Sequence, residues 1–272
     1  MANVKPYQTT LDQGNAYWMA RLASQIYQCQ QGGRHPDEAG ILDNLKAEDP
    51  GFLSVKGISK KSAQAALVEH ENYLAMVFRG TDEIPDWLDN INVFSQQAFF
   101  GAFHGGFLRS VVDIWDELYD AYNKLNNLNP RGLFLSGHSL GGAMATVASS
   151  ILIHQDEPFT SAYTFGQPRA VTRDTARVYN SEAKNSTFRF QNNNDIVTRA
   201  PARMMGYSHV GTCLYITKER KIYQDPGRWM KFLDTTKGSI ESLRAQGIDA
   251  IEDHGMIHYL NAMRDWYFVK ED

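Results

Sequence analysis

Apolar positions recur along this chain with two different periods, and the period switches repeatedly. Within residues 16–27, Trp18, Leu22 and Ile26 fall four apart, which predicts one buried face of a helix. Residues 65–68 and 73–78 are short apolar runs around His70-Glu71-Asn72, which predicts two strands and a turn. Phe107, Val111, Ile114, Trp115, Leu118 and Tyr122 repeat at threes and fours, the mark of a long amphipathic helix. Residues 131–136, with Leu133-Phe134-Leu135, predict a buried strand, and the small apolar stretch 142–153 a helix. A strand is predicted at 161–165, ended by Gly166-Gln167-Pro168, and a surface helix at 172–183. Phe188 and Phe190 alternate with polar residues over 187–191, a strand signal, and 210–217 and 221–224 read as a final strand pair. From Pro226 onward the pattern is mainly helical. Alternating strand and helix, with no internal repeat or linker, predicts one α/β domain over residues 1–272 with a mostly parallel central sheet flanked by helices.

Between the strand at 131–136 and the helix at 142–153 stands Gly137-His138-Ser139-Leu140-Gly141, a G-x-S-x-G sequence. A chance match occurs in roughly one chain in ten of this length, so the pattern gains weight from its context: strand, sharp turn, helix. Such a turn lifts the Ser139 hydroxyl off the sheet edge, and the flanking glycines let strand and helix approach closely. The backbone N–H of Leu140 falls at a helix N-terminus, where it can bind an anion.

A serine hydroxyl is a weak nucleophile until a base takes its proton. In this architecture an acid and then a histidine follow the serine along the chain. Asp195 stands just after a predicted strand, in Asn192-Asn193-Asn194-Asp195; it is the candidate acid, or else a turn residue of an Asn-rich loop. Three histidines follow it. His209 comes early, at a strand start, and reads as a hydrogen-bonded structural residue. His254 precedes a helix and can reach back over the sheet edge; His258 lies inside that helix, where packing or surface exposure is the default. Loop position favours His254 as the base. The second donor for an oxyanion should follow an earlier strand, and Thr81, in Arg79-Gly80-Thr81-Asp82, stands there.

The next segment places Ile84, Trp87, Leu88 and Ile91 on one stripe of a short helix, with Asp82, Glu83, Asp86, Asp89 and Asn90 on the other side. A helix this short must park its apolar stripe against something. Two readings stand: ordinary core packing, or a lid over the site at about residues 83–91 that swings out when apolar substrate arrives. Its place beside Thr81 favours the lid. Phe94, Phe99, Phe100 and Phe103 follow and could extend an apolar binding surface.

Composition narrows the classes. Hydrophobic residues make up 43% and charged residues 21% of 272, an ordinary globular balance. Net charge is −4 with no basic run, so nucleic acid is not an expected partner. No apolar stretch approaches the length of a membrane-spanning helix. The first ten residues have no apolar core, so no cleaved signal is expected there; the address would be cytoplasmic, or exported without a cleaved signal, or this is a mature secreted form. Two cysteines, Cys29 and Cys213, form no C-x-x-C, so a thiolate zinc site is not expected; free buried thiols are the first reading and one disulfide the second.

Taken together these residues resemble the class 3 lipases, the fungal-type lipase family of the α/β-hydrolase superfamily. The resemblance runs through Phe78-Arg79-Gly80-Thr81, Asp86-Trp87-Leu88-Asp89-Asn90-Ile91, His104-Gly105-Gly106-Phe107, Gly137-His138-Ser139-Leu140-Gly141-Gly142, Thr164-Phe165-Gly166-Gln167-Pro168-Arg169, Asn194-Asp195-Ile196-Val197 and Asp253-His254. It implies an α/β-hydrolase fold, Ser139, Asp195 and His254 as a catalytic triad, Thr81 and Leu140 as an oxyanion hole, and a helical lid. It further implies a carboxylic ester hydrolase that needs no metal or organic cofactor and meets a lipid or ester substrate at a water–lipid interface. A triacylglycerol lipase comes first among the activities. A phospholipase or galactolipase and a feruloyl-type esterase are same-class alternatives, and a non-catalytic lipase-like scaffold is the alternative of another class.

Overall fold

The computed structural model describes residues 3–90, 94–226 and 252–269. Its centre is an eight-stranded sheet. The strands are β1 (Phe52–Lys60), β2 (Ala63–His70), β3 (Tyr73–Phe78), β6 (Gly132–His138), β7 (Ser161–Phe165), β9 (Thr187–Asn192), β11 (Thr212–Ile216) and β12 (Ile222–Gln224), in that spatial order. From β3 through β6, β7 and β9 to β11 neighbours run parallel, while β1–β2–β3 and β11–β12 are antiparallel edges. The mostly parallel sheet expected from the alternation is therefore present. A small second sheet is built from β4 (Ser95–Ala98), β5 (Gly101–His104), β8 (Val171–Thr172) and β10 (Tyr207–Ser208).

Parallel strands need helical crossovers, which here cover one face, while helices from the two ends of the chain cover the other. One face carries α4 (Gly105–Leu128), α5 (Leu140–His154) and α6 (Arg173–Ala183); the other carries α1 (Gln13–Gln25), α2 (Glu38–Glu48) and α7 (Met256–Phe268). Strand alternation divides the core accordingly. In β6, Leu133 and Leu135 join Val111, Ile114 and Leu118 of α4, while Phe134 between them joins Trp18 and Leu22 of α1. The central strands are buried on both faces, so their apolar runs were readable from sequence; α5, with twelve of its residues buried, is apolar all round for the same reason.

The strands of the small sheet, strand β1 and helix α2 were not anticipated. Strand β1 lies at the sheet edge and carries Lys56, Gly57 and Lys60, which blunt its apolar signal. In α2 only Ile41 and Leu45 are buried, too few to register as a face. One expectation is corrected. Of the phenylalanines proposed to extend an apolar surface, Phe103 is core, Phe99 and Phe100 pack against that core, and only Phe94 is exposed. Phe99, Phe100 and Phe103 belong to the β4–β5 hairpin and pack into the core that α4 and α5 share. Cys29 and Cys213 are both free, Cys213 buried and Cys29 half-buried. Among the described residues no helix is long and apolar enough to cross a membrane.

Candidate active site

In open parallel sheets, the loops at the carboxyl ends of the strands converge on one edge. Here they bring together the loop after β3 with Thr81, the turn after β6 with Ser139, the turn after β7 with Gly166 and the loop after β9 with Asp195. His254 joins them from the turn that precedes α7.

Ser139 has φ +58°, ψ −129°, a conformation that L-residues rarely adopt and that a surrounding structure must impose. The imposition is visible on both sides. A Cβ at Gly137 would lie 2.3 Å from the Gly141 carbonyl oxygen, and one at Gly141 would lie 2.0 Å from that of Phe78. Only glycine allows strand β6, helix α5 and the end of β3 to meet this closely. The Ser139 N–H is spent on the Phe165 carbonyl at 2.9 Å, which ties the turn to β7. Leu140 begins α5, so its N–H is among those with no carbonyl one turn back. Thr81 Oγ1 accepts the Glu83 N–H at 3.2 Å, which leaves its own hydroxyl proton to donate elsewhere.

Asp195 and His254 are both buried and are hydrogen bonded to one another, Nδ1 to Oδ2 at 2.9 Å. A carboxylate accepts, so Nδ1 donates and Nε2 is left to accept a proton. A buried carboxylate is costly unless its oxygens are bonded. Asp195 meets that condition: Oδ1 accepts the Val197 N–H at 2.9 Å, and Oδ2 accepts the Tyr259 hydroxyl at 2.5 Å as well as His254. Tyr259 in turn accepts the Asn192 N–H at 3.0 Å. Burial, and then the Asp195 charge, push the Tyr259 phenol well above its ordinary pKa, so it stays a donor. The two loops are also clamped together: Asn192 Nδ2 donates to the Asp253 carbonyl at 2.8 Å, and Asn193 Nδ2 to the Asp253 carboxylate at 2.9 Å. Gly166, at φ +60°, completes the fit, because a side chain there would strike both His254 and Asp195.

Ser139 Oγ and His254 Nε2 are buried and have no hydrogen-bond partner among the described residues. Bonds between such groups are often long before substrate is held and close only then. His258 sits half-buried within α7, while the Asp195 carboxylate is bonded to His254. His209 donates through Nε2 to the Thr198 carbonyl, 2.8 Å away, as expected of a structural histidine. Its carbonyl partner only accepts, so Nε2 bears the proton; burial, with Arg189 and Arg169 nearby, holds its pKa well below the usual value.

Helix α3 (Ile84–Asn90) leaves Thr81 and crosses toward the acid. Ile84 and Leu88, both half-buried, pack on Ile196 and Val197, the two residues after Asp195. Trp87 lies in this helix, with its side chain outside the described residues, as is Ile91 altogether. Thr81 and Leu140 also line a cavity of about 700 Å³, walled by Gln64, Arg79, His104, Phe107 and Arg109. Ser139 is not among its lining residues.

Tyr259, Gly166 and Asp253 were not singled out from sequence. Each acts through a contact made only in the fold, although the position of Gly166 straight after strand β7 was a usable signal.

A strained serine between strand and helix, with acid and histidine presented by later loops at the same sheet edge, defines an α/β-hydrolase fold. The family model "Lipase (class 3)" matches residues 75–205. A secreted mono- and diacylglycerol lipase of Fusarium solani is 30% identical over 169 residues, which is 60% of this chain and 50% of that protein. A phospholipase A1-II 1 of Oryza sativa subsp. indica is 24% identical over 59% of this chain and 47% of its own length. The chain thus spans about half the length of these relatives. Among solved structures, a triacylglycerol lipase with a serine-protease triad as its catalytic centre superposes with a TM-score of 0.70 at 22% identity, over 88% of this chain and 91% of that one.

Proposed function

We propose that this protein is a serine ester hydrolase, a lipase acting on acylglycerols, built as one α/β-hydrolase unit. The observation that carries the reading is the Asp195–His254 hydrogen bond at 2.9 Å set at the sheet edge where Ser139 is held in a strained turn. In this mechanism Nε2 of His254 takes the Ser139 proton as Oγ attacks the ester carbonyl carbon. The imidazolium that forms keeps its Nδ1–H on Asp195. The Leu140 N–H and Thr81, through its N–H and hydroxyl, hold the oxyanion. His254 then gives its proton to the departing alcohol, leaving an acyl-serine ester. Water attacks that ester with His254 again as base, and the carboxylic acid leaves. The helix at 84–90 is read as the lid, since Ile84 and Leu88 lie across from Thr81 to the Asp195 turn.

A second reading, a phospholipid-cleaving variant of the same chemistry, is favoured by one feature. The cavity beside Thr81 and Leu140 is walled by Arg34, Lys61, Arg79 and Arg109 as well as by Asp82, Glu83 and Asp113, a polar setting suited to a charged headgroup. A hydrolysis panel of p-nitrophenyl esters, emulsified acylglycerol and phospholipid vesicles separates the two. Ser139→Ala deletes the attacking oxygen and little volume. It should abolish fluorophosphonate labelling and lower turnover by about 10⁴-fold or more while the thermal midpoint holds. Retention of more than a few per cent of activity would remove Ser139 from the nucleophile role.

A further inference from the structure

His138 precedes Ser139 and is buried with both ring nitrogens engaged. Nε2 lies 2.7 Å from the His254 carbonyl oxygen and Nδ1 lies 2.8 Å from the Tyr27 hydroxyl. A carbonyl only accepts, so Nε2 carries a proton. Burial, and then the neighbouring His254, hold the His138 pKa well below its ordinary value, so the ring is neutral and Nδ1 is bare. Tyr27 must therefore donate to it. Burial raises the Tyr27 phenol far above its usual range, so that proton stays in place. On its other side the phenol oxygen faces the Gly80 backbone amide. The approach is close: a Cβ at Gly80 would lie 2.3 Å from the hydroxyl and 3.0 Å from Ser139 Cβ.

The polarity of these two bonds is thus fixed, from Tyr27 through His138 to the backbone of His254, and Gly80 packs close against the phenol oxygen where they begin. They join three segments far apart in sequence, Tyr27 standing 111 positions before His138 and His138 116 positions before His254. The His138 ring also stacks on that of His254, centroids 4.5 Å apart and 30° between planes. His254 is then held at two points: its side chain by Asp195 and its main chain by His138.

We propose that Tyr27 and His138 are positioning residues, which set the His254 imidazole against Ser139 and tie that placement to the Gly80-Thr81 loop beside them. This rests on the serine-hydrolase reading above. Neither residue is hydrogen bonded to Ser139 Oγ or His254 Nε2. Their work is to fix a distance, and small misplacements of a catalytic group are expensive in rate and cheap in binding.

The test uses Tyr27→Phe, which removes one hydroxyl, and the pair His138→Leu and His138→Gln. A Gln amide can donate to the His254 carbonyl and accept from Tyr27, so it restores the polarity of the chain; Leu cannot. On a soluble p-nitrophenyl ester, well below each melting point, Tyr27→Phe should lower kcat about 10- to 100-fold with KM within about twofold. His138→Leu should do at least as much, and His138→Gln should recover most of the loss. A purely structural role predicts lower melting points with kcat unchanged, and Leu equal to Gln; either result overturns the proposal. A second measurement needs no activity. In the Ser139→Ala protein, imidazole nitrogen NMR should show His138 as the neutral Nε2–H tautomer between about pH 6 and 8, and Tyr27→Phe should move the His254 ring signals. An Nδ1–H tautomer, or a His138 that titrates in that window, refutes the chain. If the wild-type protein hydrolyses no ester, the functional reading fails while the tautomer still decides this one.

Discussion

Gly166→Ala adds one methyl group at the point where the Asp195–His254 pair is most confined. The new Cβ would stand 2.8 Å from His254 Cε1 and 2.9 Å from both His254 Nδ1 and Asp195 Oδ2, the two atoms of their hydrogen bond. Carbon needs about 3.5 Å from such neighbours, so the pair must shift by roughly half an ångström. The backbone adds a separate penalty. At φ +60° an alanine costs on the order of 1–2 kcal/mol that glycine does not. Gly206 supplies the control: it has φ +88° but nothing within 4 Å of its Cβ position. Gly206→Ala should therefore carry the backbone cost alone, roughly 1–2 kcal/mol of stability with activity intact. Gly166→Ala should lose that much stability or more, and about 10- to 100-fold in kcat/KM through displacement of the proposed base. Hydrolysis of p-nitrophenyl butyrate below its solubility limit, and a urea melt of each protein, measure both quantities. If Gly166→Ala keeps more than about half of the wild-type kcat/KM, or if Gly206→Ala loses as much activity as Gly166→Ala, the confinement argument is wrong.

Three other outcomes are expected. Tyr259→Phe leaves the Asn192 N–H without its partner and Asp195 with one bond fewer; it should cost about 1–3 kcal/mol in a urea melt and lower kcat more than KM. Leu88→Ser removes part of the half-buried contact on Ile196 and Val197, about 1 kcal/mol, so kcat/KM on a dissolved short ester should rise up to about fivefold, through KM, and the jump in activity at the solubility limit should shrink; a smooth wild-type saturation curve would mean fixed packing. His138 and His209 are held neutral in the fold, with pKa values below those of the unfolded chain, so the unfolded state binds more protons below about pH 6.5. Stability is then full above that pH and falls as pH drops through it, by up to about 1.4 kcal/mol per pH unit for each histidine, a slope that His209→Gln should reduce in urea melts taken from pH 7 to 5.5.

What was legible in the sequence was whatever depends on local pattern. Ser139 announced itself because a strained turn needs glycine on both sides, and the chain spells those glycines. The central strands announced themselves because burial on both faces leaves continuous apolar runs. Strand β1 did not, since an edge strand carries lysines on its outer positions. Asp195 and His254 could be ranked only by order and loop position. Their pairing is a contact across 59 residues that no local pattern encodes. The supports were less legible still. Tyr259 looks from sequence like one more apolar position of α7, and His138 like a spacer inside the motif. Each owes its part to the direction of a single polar atom in the assembled fold.

The turn after β9 serves two ends at once, and the way it does so separates access from chemistry. Asp195 is held by the Val197 N–H, the Tyr259 hydroxyl and His254, none of them a group of residues 84–90. Ile196 and Val197, from the same turn, send their side chains to Ile84 and Leu88 instead. If residues 84–90 swing away, they uncover Ile196 and Val197 but break none of the three bonds to the carboxylate. Opening would therefore cost apolar exposure, which a lipid surface can offset, and leave the Asp195–His254 pair in register. The consequence is a division among variants: changes at Ile84 or Leu88 should alter how activity depends on the state of the substrate, dissolved or emulsified, while the limiting kcat on a soluble ester stays within about twofold. Changes at Tyr259 or Gly166 should lower kcat by the same factor on every substrate. A Leu88→Ser protein whose kcat falls equally on soluble and emulsified esters would show that the cover and the acid are one mechanical unit after all.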